Sequence, residues 1–167
     1  MGSVVAMEPF DPPGEAWVRV SPRLATVRRM GLLAFWVPVT LAVVGFLGLA
    51  VGPGTASGVA LLAVALLAWA WFVVGRTVRS WGYAEREDDL LVTRGILRRQ
   101  LVVVPYGRMQ FVDVSAGPLD RRLGLSTVQL HTAAAATDAT IPGLVPTEAA
   151  RLRDRLAARG EASAAGI

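Results

Sequence analysis

Four arginines are the residues of this chain best suited to holding another molecule. Arg94, Arg98 and Arg99 flank a turn at Gly95, and Arg108 follows the next extended run. A guanidinium presents a planar fork of donors that matches a phosphate, so a lipid headgroup or phosphate contact is one reading of such a cluster. The other is a solvated basic face beside a negatively charged leaflet. Arg98 and Arg99 are adjacent, and neighbours along a strand point to opposite faces, which favours the second reading. Three carboxylates, Glu87, Asp88 and Asp89, fill the preceding turn and weaken the case for a phosphate cradle further.

Nothing else in the chain gathers into an active site. His131 is the only histidine, in the alternating run Val128-Gln129-Leu130-His131-Thr132. Without cysteine or a paired carboxylate it reads as structural or exposed. There are no cysteines, which excludes disulfides, thiolate nucleophiles and Cys-based zinc sites. The chain has no phosphate-cradling glycine loop and no nucleophile elbow. Arg121 and Arg122 beside Asp120 could meet a partner. Leu119 and Leu123, at i and i+4, instead make them the solvated side of a short helix. The expectation is therefore a protein that is not an enzyme and uses no cofactor or metal. The net charge of +4 is modest and every basic residue is arginine. That pattern reads as compositional bias, and no nucleic-acid partner is expected.

Two apolar runs decide what must position these residues. Met30–Val51 and Ala56–Val74 carry no ionisable group, and each approaches the roughly 20 residues of helix that cross a bilayer core. Gly52-Pro53-Gly54-Thr55 between them can do little but reverse the chain. The first run is longer than a signal-peptide core and starts too far from the N-terminus to be one. Arg19, Arg23, Arg28 and Arg29 precede the pair, and Arg76 and Arg79 follow it. Arginine is retained on the cytoplasmic side, so both termini are expected in the cytoplasm. Trp69 and Trp71 suit the headgroup boundary. Pro38 predicts a kink in the first helix, and Gly48 and Gly52 either allow close helix approach or simply end the helix. With no charge inside either span, a transport pathway is a poor reading.

The expected organisation is a flexible tail over 1–22, rich in proline, then a transmembrane hairpin over 23–79 with helices near 30–51 and 56–74. A folded domain follows over 80–160, with a flexible C-terminus at 161–167. Within that domain the period turns from helical to extended. Strands are predicted at Trp81–Arg86, Leu90–Arg94, Ile96–Val104, Met109–Ser115, Ser126–Thr132 and Ala139–Pro142. Met109, Phe111 and Asp113 are placed on one face. Pro105-Tyr106-Gly107 is a turn, with proline fixing one dihedral and glycine permitting a positive one. A helix over Thr147–Ala158 presents Ala149, Leu152 and Leu156 as one stripe. Thr147 could cap it, Gly160 could close it, and Arg151, Arg153, Arg155 and Arg159 suit its negative C-terminal pole. Strands followed by one amphipathic helix predict a bent sheet or open barrel with a helical plug.

The blocks Leu91-Val92-Thr93-Arg94-Gly95-Ile96-Leu97 and Val104-Pro105-Tyr106-Gly107-Arg108-Met109-Gln110 resemble the bacterial PH-like domain family of membrane proteins. Gly117-Pro118-Leu119-Asp120-Arg121-Arg122-Leu123-Gly124-Leu125 and Ile141-Pro142-Gly143-Leu144 extend the likeness in the same order. The resemblance implies an α+β membrane protein, a two-helix transmembrane hairpin followed by a PH-like barrel capped by a C-terminal helix. It also implies a non-enzymatic role at the bacterial cytoplasmic membrane, often beside a larger relative carrying several such domains. The expected function is a membrane-anchored cytoplasmic interaction module assembling with itself or such a relative. Binding of anionic phospholipid headgroups by Arg94, Arg98, Arg99 and Arg108 is the alternative. Eukaryotic PH domains that grip phosphoinositides carry basic residues in their first strand turn, where this chain carries carboxylates, so that specificity does not transfer.

Overall fold

Pro53 is pre-organised for a helix start and Gly52 for a helix stop, and between them they set the hairpin. In the computed structural model, which describes residues 16–133 and 138–165, α1 runs over Arg23–Ala50 and α2 over Pro53–Arg79. Leu47 O accepts from Val51 N and Gly52 N at 2.9 and 3.1 Å, and Gly52 turns the chain at φ +125°. A Cβ on Gly48 would stand 3.6 Å from that of Ala56 across the turn, so the helices approach closely there. Gly52 thus ends α1 while Gly48 packs. Pro38 lies inside α1 without ending it. Both helices are long and apolar enough to cross a membrane. Their large side chains point outward, Leu49 at 94% and Phe46 at 69% exposure, a surface suited to hydrocarbon and not to water.

The chain divides into two units, Ala25–Arg76 and a discontinuous one made of the residues up to Leu24 with those from Thr77 onward. The discontinuous unit holds two antiparallel sheets. In the first, β1 (Val18–Arg19), β2 (Gly82–Glu85), β3 (Asp89–Arg94) and β4 (Gln100–Pro105) lie in that order. After a 3-10 turn at Tyr106–Arg108 come β5 (Met109–Ser115), β6 (Ser126–Thr132) and β7 (Ala139–Leu144), which form the second. The short α3 (Pro118–Arg122) links β5 to β6, and α4 (Pro146–Ala165) packs on β5, β6 and the 3-10 turn. The expected PH-like fold with an apolar hairpin is present.

The core follows from side-chain period. β6 alternates, burying Ser126, Val128, Leu130 and Thr132 and half-covering the residues between. Leu90, Leu91 and Val92 are consecutive and all buried, because β3 is covered on both faces. The stripe Ala149, Leu152 and Leu156 is fully buried, each leucine contributing roughly 1.5–3 kcal/mol from burial.

Several boundaries differ from expectation. Residues 1–15 of the expected tail lie outside the described residues, but the tail does not extend to 22. Val18 and Arg19 pair with Tyr83 and Gly82, and Val20 and Leu24 are buried. The strand expected from Ile96 begins only at Gln100, because Arg94 pairs Gln100 and closes a loop over Gly95–Arg99. A register shift between Met109 and Phe111 turns β5, so Phe111 and Asp113 face solvent while Val112 and Val114 are half-covered. Gly107 takes no left-handed φ, so the turn draws no positive dihedral from it. Gly160 does not close α4, which continues to Ala165. Residues 166 and 167 of the expected flexible C-terminus lie outside the described residues. The arginines assigned to the pole of α4 instead reach sideways, Arg151 and Arg155 to Glu85 and Arg159 to Arg86 O.

Candidate functional site

The β3–β4 loop is built from its base upward. Gly95 sits at φ +100°, and a side chain there would collide with Arg98 O, so glycine is required for this tight loop. Its N–H donates to Ser80 Oγ at 3.1 Å, and Ser80 Oγ donates to Thr77 O at 2.8 Å. Arg94 leaves the end of β3 and gives Nε and Nη2 to Gln100 Oε1 at 3.1 and 3.0 Å, with its guanidinium 5.8 Å from the Trp81 ring centroid. Leu97, Arg98 and Arg99 form the exposed tip, and Leu97 is 103% exposed. A wholly exposed leucine between half-covered Ile96 and two arginines is an amphipathic point, apolar at the tip and cationic at the shoulders.

Arg108 does not join this cluster. It ends the 3-10 turn beyond Pro105, which pairs with Asp89 at the opposite end of the β3–β4 ladder. A six-residue strand, β4, intervenes, roughly 20 Å of extended chain. The acidic turn before β3 lies at Arg108's end too: Tyr106 N donates to Asp88 O at 3.1 Å. The carboxylates that weaken the phosphate reading in sequence are therefore removed from Arg94, Arg98 and Arg99 by the length of β3. Arg121 and Arg122 are exposed on α3, as expected, while Asp120 Oδ2 accepts from Gly117 N at 3.2 Å and fixes the start of that turn.

A second candidate is a pair of sheet edges. Among the described residues β4 pairs only with β3, and β5 only with β6, so these consecutive strands each end a sheet. Val103 on β4 is 42% exposed and Phe111 on β5 57%. Phe111 stacks on His131 with ring centroids 4.4 Å apart and an interplanar angle of 23°. His131 Nδ1 lies 3.3 Å from Asp138 Oδ2, and Asp138 Oδ1 accepts from Thr132 N at 2.8 Å. The Thr132 amide, with the histidine as a lesser influence, holds the Asp138 carboxyl below its ordinary range. Among the described residues no group of three or more His, Cys, Asp or Glu could hold a metal. The lone histidine supports an exposed aromatic face.

Sequence reasoning missed the clamp between α4 and β2. Tyr83 is buried, and its hydroxyl donates to Glu148 Oε1 at 2.5 Å. Arg151 donates to Glu148 through Nε at 2.9 Å and Nη2 at 2.6 Å, and Nη2 also reaches Glu85 Oε1 at 2.7 Å. Arg155 Nη1 meets Glu85 Oε2 at 3.2 Å. The Arg151 guanidinium above all pulls Glu148 down to about 2, while burial first and Glu148 second push the Tyr83 hydroxyl up. A second buried tyrosine, Tyr106, donates to Arg86 O at 3.0 Å and accepts from Arg159 Nη1 at 3.0 Å. These groups satisfy one another and hold the helix on the sheet. The only sequence signal was spacing: Glu148, Arg151 and Arg155 lie on one helical face at i, i+3 and i+7.

The comparisons with known proteins agree with this architecture. The family model described as "Bacterial PH domain" matches residues 32–160, more than half of the chain. UPF0699 transmembrane protein YdbS of Bacillus subtilis (strain 168) is similar at 42% identity over 76 residues, a stretch that covers 46% of this chain and 46% of that protein. The chain thus matches less than half the length of that relative. No solved structure matches it.

Proposed function

This chain belongs to the bacterial PH domain family, and from that premise we propose that it is a membrane-anchored, non-catalytic interaction module. In this reading its folded domain faces the cytoplasm, both termini lie on that side, and the domain assembles with a second copy or with a related multi-domain membrane protein. The observation that carries the reading is the pair of open edges on β4 and β5, with Phe111 exposed beside them. An unpaired edge offers its backbone groups to another strand, and an exposed aromatic supplies the apolar anchor that backbone pairing lacks. Only Ser80 and Trp81 separate α2 from β2, so the tether confines the domain and raises its effective concentration for partners in the same membrane.

Leu97 supports a second reading, in which the β3–β4 tip touches anionic headgroups through Arg98 and Arg99. One experiment separates the two. Full-length protein released in mild detergent is examined by native mass spectrometry, and the same protein in nanodiscs is titrated for dependence on anionic lipid. Phe111→Arg is expected to lose the protein complex at least about tenfold in affinity and leave lipid dependence alone; Arg98→Ala with Arg99→Ala does the reverse under the second reading. A clean monomer with no protein partner overturns the first, and lipid dependence unmoved by the arginine pair overturns the second.

A further inference from the structure

Arg29 holds an unusual place in the hairpin. On α1 it shares a helical face with Leu32, Trp36 and Thr40, at i+3, i+7 and i+11. Its Nη2 donates to Trp71 O on α2 at 3.3 Å, and its guanidinium carbon lies 4.5 Å from the centroid of the Trp71 ring. A Cβ on Gly75 would stand 2.6 Å from that Nη2, so the guanidinium occupies the space where another residue would carry its side chain. Arg29 Nε is buried with no hydrogen-bond partner. No aspartate or glutamate occurs anywhere from Arg23 to Arg79. The hairpin therefore holds a half-buried cation between its helices and offers it no carboxylate.

One turn further along the same face of α1, Leu32 begins the lining of a groove shared with α2. The groove between them has a volume of about 420 Å³ and is lined by Leu32, Trp36, Thr40, Ala63, Leu67 and Ala70 among others, almost wholly apolar. That volume falls within the roughly 300–1,000 Å³ of small-molecule sites. Apolar matter fits the groove, and Arg29, one helical turn before its lining residue Leu32, supplies a cation for an anion. In a membrane-spanning hairpin one class of molecule supplies both on a single skeleton. Basic pockets between transmembrane helices are also where anionic headgroups are held.

We propose that the hairpin carries a specific site for one anionic phospholipid, its phosphate on Arg29 and one acyl chain in the groove between α1 and α2. The Trp71 ring and carbonyl orient the guanidinium, and Gly75 leaves it room. The site shares no residue with the β3–β4 tip and does not depend on the partner reading of the folded domain.

Full-length protein, delipidated in detergent, is titrated with dioleoyl phosphatidylglycerol or dioleoyl phosphatidylcholine, and bound lipid is counted by native mass spectrometry. One phosphatidylglycerol per chain is expected, retained at least about tenfold more tightly than phosphatidylcholine, a difference of about 1.4 kcal/mol. Arg29→Gln should lower that preference to near unity, and Arg29→Lys should keep part of it. Ala70→Phe, which fills the groove and leaves the arginine in place, should weaken both lipids. Arg153→Ala, at an exposed arginine of α4 that bonds its neighbour Asp154, should change nothing. Helix content by circular dichroism shows that each variant is folded, and Ala70→Phe tests the groove even if Arg29→Gln is not. Equal retention of the two lipids, undiminished preference in folded Arg29→Gln, or full competition by inorganic phosphate alone overturns the proposal.

Discussion

Glu148 is gripped by Arg151 from its own helix and by Tyr83 from β2, and that grip has a pH signature. Its carboxyl falls from an ordinary 4.5 to about 2 in the folded protein, chiefly because Arg151 bonds the charged form. A depressed carboxylate adds stability that is present in full above its unfolded pKa and is lost as pH falls through the folded one. Glu148→Gln removes that contribution. The gap in melting temperature between wild type and variant should therefore be widest near neutrality and close between 4.5 and about 2. Thermal unfolding of the full-length protein in detergent, followed by circular dichroism across that range, measures it; a gap constant with pH refutes the clamp. At this scale, legibility tracks sequence distance. Arg94, Arg98 and Arg99 stand out because they lie within one turn of chain. The Tyr83–Glu148 pair spans 65 positions, and only the fold brings it together. Arg108 shows the converse, a residue close in sequence to the cluster that a straight strand carries away from it.

Elements with a strong period are legible. β6 runs over Ser126–Thr132 as expected, and α4 buries its predicted stripe. What escapes is set by pairing. The two residues of β1 have no period to read, and β4 starts where Arg94 finds Gln100, a choice that no local propensity makes. The Ile141-Pro142-Gly143-Leu144 block stands out in sequence, and its reason lies in packing. Val128 pairs Ile141 and Ser126 pairs Leu144, so Pro142 and Gly143 together oppose Thr127 in a bulge. Gly143 has φ +74°, its O accepts from Ser21 N at 2.9 Å, and a Cβ there would stand 2.9 Å from Leu24 Cβ. The segment leading into α1 is thus seated on β7 at the one point where the strand has no side chain. Gly143→Ala combines a left-handed backbone cost of about 1–2 kcal/mol with a clash against backbone-proximal carbon. We expect a loss of about 2–4 kcal/mol in unfolding free energy. Denaturant titration by tryptophan fluorescence measures it, and a change within about 0.5 kcal/mol refutes the seating.

At the scale of the molecule, the hairpin interrupts the folded domain instead of preceding it. β1 comes before α1 and β2 follows α2, yet the two strands pair, Val18 with Tyr83 and Arg19 with Gly82. The hairpin itself is plain in sequence from length and polarity, but its place inside the domain is not, because nothing local marks Val18 and Arg19 as the first strand of a sheet completed more than sixty residues later. The consequence can be tested by removing the interruption. Replacing 25–76 with a flexible Gly-Ser linker of about ten residues, whose mean span is roughly 18 Å, leaves both ends of the discontinuous unit connected. Every residue of the buried core other than Ala56 is retained. That variant should be soluble without detergent and unfold cooperatively. A second variant beginning at Thr77 keeps the same linker-free β2–α4 sequence but lacks β1, Val20 and Leu24. It exposes the edge of β2 and uncovers Gly143, so it should melt lower and associate through the bared edge. Analytical ultracentrifugation and calorimetry of the two side by side decide the matter. Equal stability would mean that the residues before α1 add nothing to the fold; a large deficit in the truncated form means that the sheet begun before the hairpin is completed only after it.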